Sequence, residues 1–254
     1  IILNARLTKK SFIRWKYFDK FSKNIFNKIS LAIPQNFETL NYLKLLGVKN
    51  IKKIGNLKFS GENQPKKFDQ TLKNKFYNRD IWCAASTHDG EEIKVGELHK
   101  KIRIKNEKFL TILIPRHTDR KDSIIKKLEN IDLKVTTHSS GKKINKNTDI
   151  YIVDTYGEAL SFFRLTKIVF MGGSLIKHGG QNPLEPARLG NLIMHGPYIN
   201  NFKEVYKFLA NLKFSIKIKN ISEMEKYLIK KNQKKLETKK LYSIGERILL
   251  NNIK

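Results

Sequence analysis

The fold of this chain is decided by residues 169–190, which read V-F-M-G-G-S-L-I-K-H-G-G-Q-N-P-L-E-P-A-R-L-G. The apolar run at residues 168–171 is typical of a buried parallel strand. The glycine pair that follows lets the backbone turn sharply and approach a ligand closely. Asn182 and Pro183 are favoured at the start of a helix. We therefore predict a strand, a glycine loop and a helix whose free N–H groups face the ligand side of a sheet, where phosphate binds readily.

Strands alternate with helices on both sides of this stretch, from residue 80 onward. The predicted strands are 81–85, 109–114, 134–137, 150–153, 168–171 and 192–194. This alternation predicts a doubly wound parallel α/β sheet, in which ligands bind beyond the carboxyl ends of the strands. Four motifs each follow a predicted strand and are expected on one edge: Ala85-Ser86-Thr87-His88, Pro115-Arg116-His117, Thr155-Tyr156-Gly157-Glu158 and the loop at 172–185.

The amino-terminal part has its own pattern of strands and helices. A helix capped by Ser11 carries aromatic and aliphatic residues to Ile29 at spacings of three and four, with Lys and Arg opposite. This pattern indicates a core-facing helix, although a basic helix with aromatic residues could also lie against a membrane. Strands are predicted at 1–3, 31–33 and 51–57, and a helix at 37–46 that ends at Gly47.

Composition narrows the possible partners. The 254 residues carry a formal net charge of +28, which favours anionic partners such as phosphorylated lipid, acidic membrane or nucleic acid. The Lys residues are dispersed rather than clustered with aromatic stacking sites, which argues against nucleic acid. A single cysteine, Cys83, excludes an internal disulfide. His117 and His178 stand on different loops and no D-x-D pair occurs, so neither a metal nor a cofactor is predicted.

The motif G-G-S followed by N-P-L-E-P-A closely resembles the nucleotide-sugar site of the Kdo transferases. These enzymes move 3-deoxy-manno-octulosonic acid (Kdo) from CMP-Kdo onto a lipid A precursor. Two earlier segments, Asn4-Ala5-Arg6-Leu7-Thr8 and Gly55-Asn56-Leu57-Lys58-Phe59, stand where the family reads N-A-R-L-S and G-N-L-K-F. The resemblance therefore covers both halves of the chain.

The resemblance implies a GT-B glycosyltransferase fold, built from two Rossmann-like domains. Residues 1–59 would be the end of the acceptor domain, 60–78 a linker, 79–232 the donor domain and 233–254 a helix crossing back. The chain starts without Met and inside an apparent strand, which we interpret as a fragment. The family's catalytic base, a Glu of the first domain, would then precede Ile1, so no catalytic residue is predicted here.

The implied function is inverting transfer of Kdo from CMP-Kdo to lipid IVA at the cytoplasmic face of the bacterial inner membrane. The implied partners are the donor, the lipid A precursor and the anionic membrane surface. Another GT-B enzyme with a UDP-sugar donor is the alternative, because Tyr156 stands where the family usually has Met. A basic nucleic-acid-binding protein is a more remote alternative. The number of Kdo units transferred and the oligomeric state stay open.

The resemblance also implies roles for individual residues. Arg116 would contact phosphate, for which a charged guanidinium is suited, and Glu185 would accept from ribose hydroxyls. The structural alternatives are a salt bridge to a neighbouring helix for Arg116, and a partner of the helix dipole for Glu185. His88 is interpreted as a hydrogen-bonded turn residue. The predicted substrate-binding residues are Ser86, Thr87, Pro115, Arg116, Tyr156, Gly157, Glu158, Gly173, Ser174, Asn182, Pro183, Leu184 and Glu185.

Overall fold

The computed structural model describes residues 1–56, 70–230 and 234–253. These residues form two compact units, 1–63 with 239–254, and 64–238. Residues 60–69 of the linker predicted at 60–78, the end of the predicted strand at 57 and residues 231–233 lie outside the described part. No helix among the described residues is both long enough and apolar enough to cross a membrane.

The strands and helices follow one another along the chain. In order they are β1 (Ile2–Ala5), α1 (Lys9–Tyr17), α2 (Asp19–Phe26), β2 (Ala32–Pro34), α3 (Phe37–Leu45), α4 (Gln70–Lys75), β3 (Asp80–Thr87), α5 (Glu91–Lys105), β4 (Phe109–Pro115), α6 (Lys121–Glu129), β5 (Val135–Thr137), β6 (Ile150–Ile152), α7 (Ala159–Leu165), β7 (Ile168–Met171), α8 (Leu184–Arg188), β8 (Leu192–His195), α9 (Lys203–Asn211), β9 (Ser215–Lys217), α10 (Glu225–Leu228) and α11 (Lys239–Ile253).

The first unit pairs β1 with β2 in parallel and packs its helices over a small core. The predicted single helix from Ser11 is wrong in its bounds and continuity. Thr8 is the cap, because its side chain accepts from the Ser11 N–H at 3.2 Å. Phe18 has φ −103° and ψ 53°, so it separates α1 from α2. The predicted strand at 51–57 is reduced to one bridge between Ala32 and Ile51.

The break at Phe18 changes which aromatic residues are buried. Phe12 and Trp15 pack against the core formed around Phe26. Phe18 and Phe21 are each 62% exposed, so the expected core-facing stripe is wrong for these two positions. Each residue of a helix lies about 100° around the axis from the one before it. Because α1 and α2 are separated at Phe18, the side chains of α2 point in directions that one continuous helix would not give them.

The second unit is built on a seven-stranded sheet. Its strand order is β5-β6-β4-β3-β7-β8-β9, and every pair is parallel. The predicted doubly wound α/β sheet is confirmed. The chain leaves β3 toward β4 but leaves β7 toward β8, in the opposite direction. Neighbouring strands with diverging connections form a crevice at their carboxyl ends, and such crevices bind ligands.

The core of this unit explains why the strands read as continuous apolar runs. Residues of β4 from Phe109 to Pro115 are all buried, as parallel strands covered on both faces require. The helix predicted after Pro183 is only five residues long. Within the described residues, the helix predicted at 233–254 begins at Lys239. The short strand β9 was not predicted, because Ser215–Lys217 offers too little periodicity.

Candidate functional site

Four loops meet at the carboxyl edge of the seven-stranded sheet. They follow β3, β4, β6 and β7, which lie beside one another in the order β6-β4-β3-β7. The prediction that the four motifs share one edge is confirmed. Backbone bonds join the loops directly: the Gly172 N–H donates to Ala85 O at 2.8 Å, and the Arg116 N–H donates to Thr87 O at 3.0 Å.

A buried carboxylate holds the glycine loop. Glu91 is fully buried at the start of α5. Its Oε2 accepts from the N–H groups of Gly173 (2.7 Å) and His88 (3.0 Å), and its Oε1 from those of Ser174 (3.2 Å) and Leu175 (3.0 Å). Burial raises the pKa of Glu91, and the four N–H groups act in the opposite direction. The carboxylate therefore stands where a bound anion would stand in a phosphate loop.

The N–H groups of Gly173 and Ser174 are therefore not available to a ligand. Charge-assisted bonds of this kind are the strong ones, so the Glu91 carboxylate saturates the amides of Gly173 and Ser174. The Ser174 hydroxyl donates to Met171 O at 2.5 Å and accepts from the Gly196 N–H at 2.9 Å. The structure thus gives Gly173 and Ser174 a role in holding the loop, and their predicted contact with substrate stays a prediction.

Main chain packs against main chain beneath this loop. A Cβ added to Gly172 would lie 2.4 Å from Ser86 O, and one added to Gly196 would lie 2.2 Å from Ser174 O. Both positions therefore require glycine. Ser86 itself has a positive φ of 53°, a conformation that non-glycine residues seldom adopt. Thr87 is buried, and its hydroxyl has no hydrogen-bond partner within the described residues.

The loop after β4 carries two arginines, of which one is in a salt bridge and the other has no partner among the described residues. The exposed Arg116 side chain makes no hydrogen bond or ion pair with any described residue. The salt bridge considered for Arg116 is made by Arg120, whose Nη1 lies 2.9 Å from Glu92 Oε1 and whose Nη2 lies 3.1 Å from Asp89 Oδ1. Pro115 is buried at the end of β4, so it shapes the loop. Arg116 is therefore available to an anionic ligand.

The motif after β6 combines an exposed tip with a fixed carboxylate. Tyr156 is 76% exposed, and Gly157 has φ +83° with open space where a Cβ would stand. The Glu158 carboxylate accepts from the Thr155 hydroxyl and lies 3.2 Å from His138 Nε2. His138 was not predicted to belong to the site. Its only sequence signal is that it follows β5 directly.

The N-P-L-E segment divides into exposed and buried residues. Asn182 and Glu185 are exposed, whereas Pro183 and Leu184 are buried. Asn182 Oδ1 accepts from the Leu184 N–H at 3.2 Å, but α8 begins at Leu184 with Pro183 at the N-cap, so the N-cap predicted at Asn182 is one position too early. Leu184 belongs to the core, which contradicts a side-chain contact with substrate. Asn182 and Glu185 remain the ligand-facing candidates.

Three histidines gather between these loops. The His88 ring centroid lies 3.9 Å from that of His178 and 5.9 Å from that of His117. Gln181 Nε2 donates to His88 Nε2 across 3.1 Å. Burial, then the neighbouring His178, His117 and arginines, lowers the pKa of His88 to about 4. Within the described residues, no group of three or more His, Cys, Asp or Glu side chains is placed to hold a metal ion.

A cavity of about 1250 Å³ lies at the opposite edge of the same sheet. It is lined by the start of β3 at Asp80, the end of α5 at Lys105 and residues just before β7 such as Lys167. None of the predicted site residues contributes to it. The loops at the carboxyl edge, rather than this cavity, carry the motifs.

Comparison with known proteins confirms the resemblance derived from the motifs. The family described as 3-Deoxy-D-manno-octulosonic-acid transferase (kdotransferase) matches residues 1–61. The chain is 28% identical to the 3-deoxy-D-manno-octulosonic acid transferase of Haemophilus influenzae, over 99% of this chain and 60% of that protein. It is 33% identical to the enzyme of the same name from Rickettsia bellii, over 91% of this chain and 56% of that protein. The chain therefore spans somewhat more than half the length of these relatives.

Solved structures agree with the sequence comparison. The C-terminal CMP-Kdo binding domain of WaaA from Acinetobacter baumannii matches with a TM-score of 0.60 and 26% identity, over 68% of this chain and 91% of that one. Anabaena Alr3699/HepE, solved in complex with UDP and glucose, matches with a TM-score of 0.51 and 11% identity, over 99% of this chain and 68% of that one. The second match shows the fold alone. The predicted GT-B type of α/β fold is confirmed.

Proposed function

We propose that this chain, whose sequence and fold resemble the Kdo transferases, carries the donor-binding domain of an enzyme that transfers Kdo from CMP-Kdo to the lipid A precursor lipid IVA with inversion. One observation supports this most strongly. The CMP-Kdo binding domain from Acinetobacter baumannii is 26% identical to this chain and covers 68% of it. The motif loops that carry the resemblance also lie together at one sheet edge.

The arrangement of the edge suits glycosyl transfer from a nucleotide. Such transfer requires charge relief for the leaving phosphate, alignment of the donor, and a base for the acceptor hydroxyl. Arg116 offers an exposed guanidinium with no described protein partner, which supports the first requirement. The loop fixed by Glu91 supports the second. In an inverting reaction the acceptor oxygen attacks the anomeric carbon from the face opposite the phosphate. No described residue is assigned as the base.

Exposed residues on the other loops of this sheet edge supply the remaining contacts with the sugar-nucleotide donor. Asn182 and Glu185 stand at the start of α8, where Glu185 can accept from ribose hydroxyls. Tyr156 and Gly157 lie at an exposed tip where a base can approach the backbone. These assignments leave the buried Leu184 to the core.

Calorimetric titration with CMP, UMP and UDP tests the donor assignment. We expect CMP to bind more tightly than either uridine nucleotide. The alternative is a UDP-sugar donor, which rests on Tyr156 at a position where the family usually carries Met. Tighter binding of UDP than of CMP would replace the cytidine assignment with that alternative. A Tyr156→Met variant should preserve the order of the three affinities if the donor is a cytidine nucleotide.

We further propose that the surface of α1 and α2 contacts the cytoplasmic face of the bacterial inner membrane, where the lipid acceptor resides. Exposed apolar side chains cluster there, including Tyr17 (83% exposed), Phe18 and Phe21. The same two helices carry six exposed basic residues: Lys9, Lys10, Arg14, Lys16, Lys20 and Lys23. Apolar side chains rimmed by Lys and Arg are typical of helices that lie in the interface of an anionic membrane.

Sedimentation with vesicles tests this surface. We expect binding to phosphatidylglycerol vesicles that weakens with salt, and little binding to phosphatidylcholine vesicles. Phe18→Ser with Phe21→Ser should reduce the bound fraction several-fold. Leu45→Ser removes a side chain that is also 62% exposed but stands on α3, so it provides the control. Equal losses in the two variants would show that the α1–α2 surface has no special role.

A further inference from the structure

Three imidazoles from three strand-end loops meet in the crevice of the second unit. His88 follows β3, His117 follows β4, and His178 lies in the loop after β7. The His88 ring centroid is 3.9 Å from that of His178 and 5.9 Å from that of His117. A Cβ on Gly173 would lie 3.1 Å from the His88 ring and 3.3 Å from His178 Nδ1, so the glycine leaves room for the rings to approach. We call His88, His117 and His178 the histidine cluster.

The charged groups that act on His88 are positive, and the α5 carboxylates next to it in sequence are already bonded. Within the described residues, none of its rings forms an ion pair with a carboxylate. Glu91 lies beneath it, but its oxygens accept four backbone N–H groups. Glu92 and Asp89 are bound to Arg120. The charged and titratable groups of the packed elements are His88, Asp89, Glu91, Glu92, Arg116, His117, Asp119, Arg120, Lys177, His178 and Glu185.

This arrangement disfavours the protonated form of His88 until a negative charge arrives. Burial and the neighbouring positive groups keep His88 neutral near pH 7. His117 and His178 are exposed at the surface of the crevice, so a ligand can reach them. An anion placed among the rings and Arg116 would stabilise their protonated forms, because an opposite charge within about 4–6 Å favours ionisation.

We propose that the histidine cluster, together with Arg116, is a subsite for an oxyanion of the sugar-nucleotide donor, and that occupying it draws protons from solvent onto His117 and His178. The inference rests on the proposed function, because it assumes a donor with a phosphate diester and a sugar carboxylate. Imidazolium and guanidinium groups can donate hydrogen bonds to either oxyanion. Donor affinity would then rise as pH falls from 8 toward 6.

Calorimetry in pairs of buffers with different ionisation enthalpies measures the proton uptake. Cytidine 5′-(methyl phosphate) provides the diester without a sugar, and CMP-Kdo provides both oxyanions. CMP is unsuitable here, since its phosphate monoester titrates near pH 6. Uptake of a proton with both ligands would identify the phosphate as the occupant, and uptake with CMP-Kdo alone would identify the carboxylate. For each proton taken up, affinity should fall by about tenfold per pH unit above the ring pKa.

Matched variants separate the cluster from general charge. His178→Asn and His117→Gln should each reduce the proton uptake and flatten the pH dependence. Lys177→Gln removes a permanent charge beside His178, so it should weaken binding by a similar factor at every pH. Cytidine ligands that bind without proton uptake would overturn the subsite and leave the proposed function standing.

A separate measurement decides the case in which no cytidine ligand binds, which would refute the proposed function. Histidine ring signals are titrated by NMR from pH 4 to 9 with and without sulfate, which does not titrate in this range. A subsite of this kind raises the pKa of the His117 and His178 rings when sulfate is present. Unchanged ring pKa values in sulfate would refute the anion subsite, whatever the nucleotide result.

Discussion

Replacing Glu91 by Gln tests whether one buried carboxylate assembles the edge. Each Glu91 oxygen accepts two N–H groups, so an amide in either orientation loses two of the four bonds and sets an NH₂ group against two donors. Hydrogen bonds to charged groups contribute about 1.5–3 kcal/mol each. Two lost bonds therefore cost roughly 3–6 kcal/mol, and removal of a buried charge recovers part of this. We expect Glu91→Gln to lower the free energy of unfolding by about 3 kcal/mol.

Urea unfolding measures this loss as a shift of the midpoint at constant slope. Glu92→Gln is the matched control, because its neighbouring carboxylate is also buried but binds one side chain, Arg120. The control keeps one oxygen for that guanidinium and should cost about 1–2 kcal/mol. If Glu91→Gln destabilises the protein no more than Glu92→Gln, the four backbone bonds do not hold the loop as argued here.

The other predictions concern the ligand edge and its pH dependence. Arg116→Ala should weaken CMP binding by about 1.5–3 kcal/mol in calorimetry with an unchanged melting temperature, and a loss equal to that of the exposed Lys142→Ala would make Arg116 a solvated residue. Gly172→Ala brings a Cβ within 2.4 Å of a backbone oxygen and should cost about 3 kcal/mol in urea unfolding, against about 1 kcal/mol for Gly157→Ala, where space is open but φ is positive. The pKa of His88 is about 4 in the folded protein and 6.5 in the unfolded chain, so the unfolded chain takes up a proton first as the pH falls. Stability should therefore drop by roughly 1–2 kcal/mol between pH 6.5 and 4, since solvent screens part of the effect, and His88→Asn should remove that part of the drop; an identical acid profile in the variant would contradict the assignment.

The sequence was sufficient to predict the edge of the sheet, because apolar runs mark where strands end. Each of the four motifs follows such a run, and parallel strands bring their carboxyl ends to one side whatever the details of packing. Arg116 also needed no tertiary information: a basic residue directly after a buried strand stands at that edge by construction. These predictions depend on local patterns alone.

The hydrogen-bond partners of individual polar groups could not be predicted in the same way. Glu91 lies 82–84 positions along the chain from three of the N–H groups that donate to it, so no local pattern links the carboxylate to the glycine loop. The histidine cluster likewise joins loops from three strands. The start of α1 was predicted wrongly for a different reason. Thr8 and Ser11 are both residue types that cap helices well, and only the direction in which the chain enters the helix decides between them.

The contact of bare main chain at Gly172 and Gly196 has a consequence for how the protein folds. Ser86 and Gly172 are 86 positions apart, and Ser174 and Gly196 meet only when β8 is in place. Parallel pairings over such separations carry a loop-closure cost before any contact compensates for it. The crevice is therefore expected to form late, and the glycine loop gains its contact with Gly196 only after β8 has left the ribosome.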